Sequence, residues 1–208
     1  MMLLAAYASG AFPMASGPRG RIEWFAPDPR GVLPLERFHL PDTLARLVRQ
    51  QRFDIRVDSA TDAVMKACAG RRSRSNAGWM SPPLLKAYQA LQALGHVHSV
   101  EAWLDGRLVG GLYGVRLRRA FFGESMFVRP EMGGSNSSKV CLVHLVERLR
   151  RGGFTLLDTQ MVTEHMRQFG AIEVPRAEYE RQLAKALAGE GEWGGEGRTK
   201  DSGLRTED

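Results

Sequence analysis

The chain has 208 residues, of which 43% are hydrophobic and 25% charged, enough for one solid domain with at most a small appendage. No run approaches the roughly 18 apolar residues of a membrane span, and Cys68 and Cys141 belong to no CxxC or Cys/His cluster, which argues against a structural zinc site and an oxidising compartment. The charge is uneven: 26 bases and 17 acids precede Gly189, against three bases and six acids from there on, and 24 of all the bases are Arg. A basic, Arg-rich body fits a phosphate-bearing partner, although genome composition explains Arg-for-Lys equally well.

In chain order, the apolar start at residues 1–8 lacks the positive segment of a secretory leader and reads as a docked helix. Residues 1–35 are rich in Pro, Gly and aromatics, a pattern of turns and extended segments packed onto a body. Pro41-Asp42 opens a helix to 49, with the acid favoured in the first turn. Alternation over 53–58 predicts a strand, and Ser59, Thr61 and Asp62 cap a helix through 69. Residues 70–77 form a basic loop. A helix over 82–94 is bounded by Pro82 and Gly95. Strands follow at 98–104 and 107–117, joined through Asp105-Gly106, and a third at 120–128. A helix at 136–151, a strand at 154–158, a helix at 163–169 and a last helix at 175–188 complete the body. Residues 189–208 read as a low-complexity, disordered tail. The predicted class is α+β: a mixed sheet flanked by helices, whose crossover through 136–151 sets two strands parallel. The expected division is a small N-terminal unit at 1–35, a main domain at 36–188 and the tail.

Two of these strands carry an acid in an apolar run: Glu124 in Gly123-Glu124-Ser125-Met126-Phe127, and Asp158 in Leu157-Asp158-Thr159-Gln160. A buried carboxylate is costly unless it meets a cation or several donors. Two at the ends of neighbouring strands suggest a pocket for a cation, with an amide alongside. The bland alternative is a structural ion pair, for instance with Arg129.

The element order is shared by acetyltransferases of the GNAT type. Those cradle a pyrophosphate on backbone N–H groups at a helix start, in a pattern like [RQ]xxGx[GA]. The corresponding stretch, Arg129-Pro130-Glu131-Met132-Gly133-Gly134-Ser135-Asn136, has its first glycine one place late and sets Glu131 near the phosphates. A CoA-dependent acetyltransferase is therefore the alternative reading.

A closer resemblance rests on ordered motifs: Ala6-Tyr7-Ala8-Ser9-Gly10-Ala11-Phe12-Pro13, Trp24-Phe25-Ala26-Pro27-Asp28-Pro29-Arg30, Gly78-Trp79, Leu94-Gly95-His96-Val97-His98-Ser99-Val100-Glu101-Ala102-Trp103, Leu108-Val109-Gly110-Gly111-Leu112-Tyr113-Gly114-Val115, the GESMF stretch, Ser138-Lys139, Asp158-Thr159-Gln160, His165 and Phe169-Gly170-Ala171. In these the chain resembles the bacterial leucyl/phenylalanyl-tRNA–protein transferases. The resemblance implies a GNAT-like domain that has exchanged acetyl-CoA for charged tRNA, behind a small N-terminal domain. Longer members carry about thirty more residues ahead of it, so that domain is expected to be truncated or the start site misassigned. The implied activity is transfer of Leu, Phe or sometimes Met from aminoacyl-tRNA to the N-terminal Arg or Lys of a protein, creating an N-degron.

By that resemblance, Asp158 and Gln160 form the catalytic unit, with Asp158 orienting and Gln160 contacting the amine. Glu124 and Asp158 receive the cationic N-terminal residue. Leu112, Met126, Leu142, Leu145, Leu149 and Leu157 surround the donor side chain. Trp79, Trp24 and Phe25 stack on the terminal adenosine, and Arg71 and Arg72 help contact the tRNA. Met14 stands where the family commonly has Trp, and with the short start this gives a second alternative, an inactive tRNA- or N-degron-binding module. Neither metal nor small cofactor is implied; the implied partners are Leu-tRNA, Phe-tRNA and acceptor proteins, met by a cytoplasmic monomer. His98 and His165 read as structural hydrogen-bonders. Asp158→Ala is expected to cut transfer strongly and leave the fold intact.

Overall fold

A computed structural model describes residues 2–15, 21–70 and 80–194. The segment holding Arg71, Arg72 and Trp79 lies outside them. Helix α1 (Met2–Ala8) is a run of good helix formers whose Leu3 and Tyr7, one turn apart, both turn inward. A hairpin of β1 (Phe12–Ala15) and β2 (Ile22–Phe25) follows, then β3 (Arg30–Val32). The body continues through α2 (Asp42–Arg49), β4 (Asp54–Val57), α3 (Thr61–Ala69), α4 (Pro82–Ala93), β5 (Val97–Leu104), β6 (Arg107–Leu117), β7 (Ala120–Val128), α5 (Ser137–Arg151), β8 (Leu156–Gln160), α6 (Glu164–Arg167), β9 (Ile172–Val174) and α7 (Arg176–Leu187).

Seven strands form one sheet in the order β4-β5-β6-β7-β8-β3-β9. All neighbours run antiparallel except β7 and β8, the pair joined through α5, so the mixed sheet expected from the crossover is present. Apolar layers cover both faces. Phe121, with Val100, Leu112 and the buried side of α5, belongs to one layer. Its neighbour Phe122 belongs to the other, with Tyr7, Val64, Leu84 and Tyr88 from α1, α3 and α4. Adjacent residues on opposite faces are what the two-residue period of a strand imposes.

Several short elements escaped the sequence reading. The stretch taken as packed loop over 1–35 contains the hairpin, and its end, β3, is a strand of the main sheet between β8 and β9. Three or four residues are too few to display a period; β3 is recognisable only from the strands that receive it. The tail reading also needs correction at its start. Trp193 is buried, so residues up to 194 belong to the body; a lone Trp among glycines and acids gives no periodic signal.

Pairing of β7 with β8 spans only Ala120↔Leu156, Phe121↔Leu157 and Phe122↔Asp158. Beyond Phe122 the two parallel strands part, and the free edge of β7 from Gly123 to Val128 faces a cavity. The fold thus opens its own sheet at the point where both acids sit.

Candidate active site

The cavity measures about 1090 Å³. Its apolar wall includes Leu112, Met126, Leu142, Leu145 and Leu157, and Phe12, Pro13 and Met14 border it from the hairpin. Five of the six expected donor-pocket residues are therefore gathered. Leu149 is not among them: one turn beyond Leu145 on α5, it is fully buried in the core, because the helix has by then run past the opening between the strands. Trp24 and Phe25 also stand outside the lining. They pair across from Pro13 and Phe12 and are partly exposed, with Phe25 stacked on Phe12 at 6.1 Å.

Glu124 is the one acid among the described lining residues, which also include the basic Lys66 and Arg129. A register shift places it in the wall. Gly114 pairs with Gly123 but the next β6 residue, Tyr113, pairs with Ser125, so Glu124 is the extra residue of a bulge. Bulges re-aim side chains beside functional sites, and strand alternation alone did not reveal this one.

The Glu124 carboxylate meets two phenols. Tyr7 Oη donates to Oε1 at 2.7 Å and Tyr88 Oη to Oε2 at 2.8 Å. Gln160 Nε2 adds a contact to Oε1 at 3.2 Å, leaving the Gln160 carbonyl oxygen for a ligand. Burial pushes the Glu124 carboxyl up to about 7, helped by the charge of Asp158 and opposed by the bonds from Tyr7, Tyr88 and Gln160. The phenols are held well above their ordinary range by burial and by Glu124, so both keep their protons and act as donors.

Asp158 is fully buried, and its partner is Arg30 rather than Arg129. Arg30 donates through Nε and Nη2 to the two carboxylate oxygens at 3.0 and 2.7 Å, and through Nη1 to the Gly10 carbonyl at 2.8 Å. Its guanidinium lies between the rings of Phe12 and Tyr179. Tyr179 Oη donates to Asp158 at 2.6 Å and the Gln160 backbone N–H at 2.7 Å. With four donors on it, this carboxylate has no face for an incoming cation. Arg129 instead donates to the Leu108 carbonyl at 2.8 Å.

Desolvating both members of a buried ion pair cancels most of their attraction, so Arg30–Asp158 is poorly explained as a device for stability. What it does is hold Gln160. That residue adopts φ +65°, a left-handed conformation uncommon away from glycine, and the Asp158 side chain holds it by accepting the N–H two residues on. The strain sits at the residue whose amide faces the cavity. The sequence reading named Glu124, Asp158 and Gln160 but gave no role to Tyr7, Tyr88, Tyr179 or Arg30. Long-range partners leave no spacing signal.

Gly31 packs against the same turn. It pairs with Gln160, and a Cβ there would stand 2.8 Å from the Met161 carbonyl carbon and 2.9 Å from Val162 N. Gly31→Ala is expected to cost ~1–3 kcal/mol of overpacking strain and to shift Gln160, seen as a lower urea midpoint together with a reduced reaction rate.

Other polar and charged groups pack or pair within the body. His98 Nδ1 contacts Asp58 at 2.8 Å, and the His165 ring meets Phe169 edge-to-face while also lining the cavity. Arg116, Arg119, Arg148 and Arg150 donate to backbone carbonyls of Gly191, Gly153, Trp193 and Leu35. Among the described residues no three His, Cys, Asp or Glu side chains gather as a metal site would require, and no helix is long and apolar enough to cross a membrane.

Known proteins share the sequence across most of the chain. A family model described as leucyl/phenylalanyl-tRNA protein transferase matches residues 32–184, and the model for that family's N-terminal domain matches 1–28. A leucyl/phenylalanyl-tRNA–protein transferase of Paramagnetospirillum magneticum is 55% identical over 188 residues, covering 90% of this chain and 88% of that protein. One from Salinibacter ruber is 50% identical over 192 residues, covering 92% and 81%. Among solved structures, the GCN5-related glucosamine N-acetyltransferase region of a fungal multi-domain β-N-acetylglucosaminidase superposes with a TM-score of 0.50 at 13% identity, over 71% of this chain and 20% of that one; the likeness shows a GNAT-like fold and nothing of substrate. The chain belongs to the leucyl/phenylalanyl-tRNA protein transferase family.

Proposed function

We propose that this aminoacyltransferase moves Leu or Phe, and to a lesser extent Met, from aminoacyl-tRNA to the N-terminal Arg or Lys of acceptor proteins. The observation that carries this reading is a single cavity joining an aliphatic wall (Leu112, Met126, Leu142, Leu145 and Leu157) to one carboxylate and one amide, Glu124 and Gln160. The apolar wall suits an uncharged donor side chain. Glu124 suits the cation of the acceptor's first residue.

An aminoacyl ester is already activated, so the enzyme's main task is to hold an amine against the ester carbonyl. Gln160, anchored through its backbone to Asp158, presents its carbonyl oxygen to that amine. Asp158 serves indirectly, by fixing Gln160, and leaves the acceptor's charge to Glu124. Chemistry of this kind calls for neither a metal nor a small cofactor. Met14, at the hairpin rim, can pack against the terminal base through its polarizable thioether. The product carries a destabilising N-terminus, the mark of an N-degron, and the work suits a cytoplasmic monomer.

The test is a panel of peptides differing only in their first residue, incubated with labelled Leu-tRNA. Label is expected on peptides beginning with Arg or Lys and not on those beginning with Glu or Ala; equal labelling of all four contradicts the acceptor assignment. The donor wall makes its own prediction. Leu145→Ala enlarges the pocket and is expected to shift the Phe-over-Leu ratio of kcat/KM upward by ~10-fold or more, since a methylene in an apolar pocket is worth about 1–3 kcal/mol. An unchanged ratio in paired assays with the two charged tRNAs would place the donor side chain elsewhere.

A further inference from the structure

Glu124, Tyr7 and Tyr88 form a closed triangle of contacts. The two phenol oxygens lie 2.7 and 2.8 Å from the two carboxylate oxygens, and 2.8 Å from each other. Three hydrogen bonds need three protons, and each phenol has one. With Glu124 ionised, both phenols donate to the carboxylate and the contact between them has no proton. With Glu124 protonated the ring closes: its O–H donates to one phenol, that phenol to the other, and the second phenol back to the carboxylate. This works in either direction, whichever carboxylate oxygen takes the proton.

We propose that Glu124 is the base of the transfer reaction, taking a proton from the acceptor's α-ammonium and storing it in the ring with Tyr7 and Tyr88. The proposal rests on the functional reading above and adds the fate of a proton. An α-ammonium has no lone pair and cannot attack an ester. When it reaches Glu124, one N–H bond breaks and an O–H bond forms on the carboxylate. The freed pair then forms the N–C bond, the bond from carbonyl carbon to ribose oxygen breaks, and a second proton from the amine goes to that oxygen. The stored proton leaves to water when the product departs.

The surroundings suit the task. Tyr7 comes from α1, Tyr88 from α4, Tyr113 from β6, Asp158 and Gln160 from β8, and Arg30 from β3. Burial and the Asp158 charge bring the carboxyl to about 7, close to an ordinary α-amine at about 8, and a matched pair exchanges a proton most readily. Tyr7 and Gln160 both donate to Oε1, whereas Oε2 accepts from Tyr88 alone among the described residues, so Oε2 keeps a lone pair for the incoming proton. Tyr7 and Tyr88, held high, cannot take the proton themselves.

The experiment is the pH dependence of kcat/KM for a peptide beginning with Arg, using the full chain and Leu-tRNA. With wild-type protein kcat/KM is expected to rise along an acid limb set by Glu124 and then level off, since at high pH the amine arrives neutral and needs no base. Glu124→Gln keeps a hydrogen-bonding group in the ring but cannot take a proton. It should be slower by roughly 100-fold at about pH 6, with its rising limb moved up to that of the α-amine, and come within ~10-fold of wild type at about pH 9, where the amine arrives neutral. A gap of equal size at both ends overturns the proposal and leaves Glu124 as a binding charge only. Glu124→Asp guards against a folding defect: its profile should keep the carboxylate's acid limb at reduced height, and a limb moved up to that of the α-amine there contradicts the proposal. Absence of transfer by wild-type protein at every pH removes the underlying reading, and the proposal with it.

Discussion

Asp158→Ala is expected to lose transfer and also to destabilise the protein. The substitution leaves Arg30 fully buried without its carboxylate, and breaking a buried pair from one side costs about 3–5 kcal/mol. Gln160 loses the acceptor for its N–H and with it the left-handed turn, so the reaction rate should fall by on the order of 100-fold from misplacement alone. The sequence suggested the first effect without the second, because Asp158 looked like a free cation receptor. The two effects can be separated. Replacing both partners together, Arg30→Met with Asp158→Leu, removes the orphaned charge and should recover part of the lost stability, while transfer stays lost. Initial rates and urea midpoints measured on the single and paired variants decide it; recovery of transfer in the pair would show that Asp158 does not position Gln160.

The second large effect is expected outside the cavity. Trp193 stacks on Phe121 at 5.3 Å and on His98 at 4.4 Å, with its edge toward Phe154. Its Nε1 donates to Asp58 at 2.8 Å, a carboxylate that also accepts the Ser99 N–H. Arg148 lies over the ring and donates to the Trp193 carbonyl. Trp193→Ala removes all of this and should cost about 3–5 kcal/mol, read as a lower melting temperature. Since Trp193 does not line the reaction cavity, the transfer rate at a temperature below both transitions should match wild type. An unchanged melting temperature would mean that the body ends before residue 190.

These two cases mark what the sequence made legible. Helices α2, α4, α5 and α7 and strands β5, β6 and β7 were readable because they are long enough to show a period and carry their own stops, such as Pro82, Gly95 and Gly152. Glu124 and Asp158 were readable as anomalies, acids in apolar runs. Their partners were not: Arg30 is 128 residues from Asp158, and Tyr7 is 117 from Glu124. Nothing in local composition distinguishes a tyrosine that stabilises a core from one that holds a catalytic carboxylate. Leu149 shows the converse error. It shares the helical stripe of Leu142 and Leu145, and only the length of the opening between β7 and β8 decides which leucines meet the cavity.

The most direct test of the account is the mass of the product. Wild-type protein, Leu-tRNA and a peptide beginning with Arg should give a peptide heavier by one leucine residue, with fragmentation placing the leucine on the α-amine, and no product when that amine is already acetylated. An acetylated peptide formed from acetyl-CoA, or charged tRNA bound with the peptide left unchanged, would contradict it.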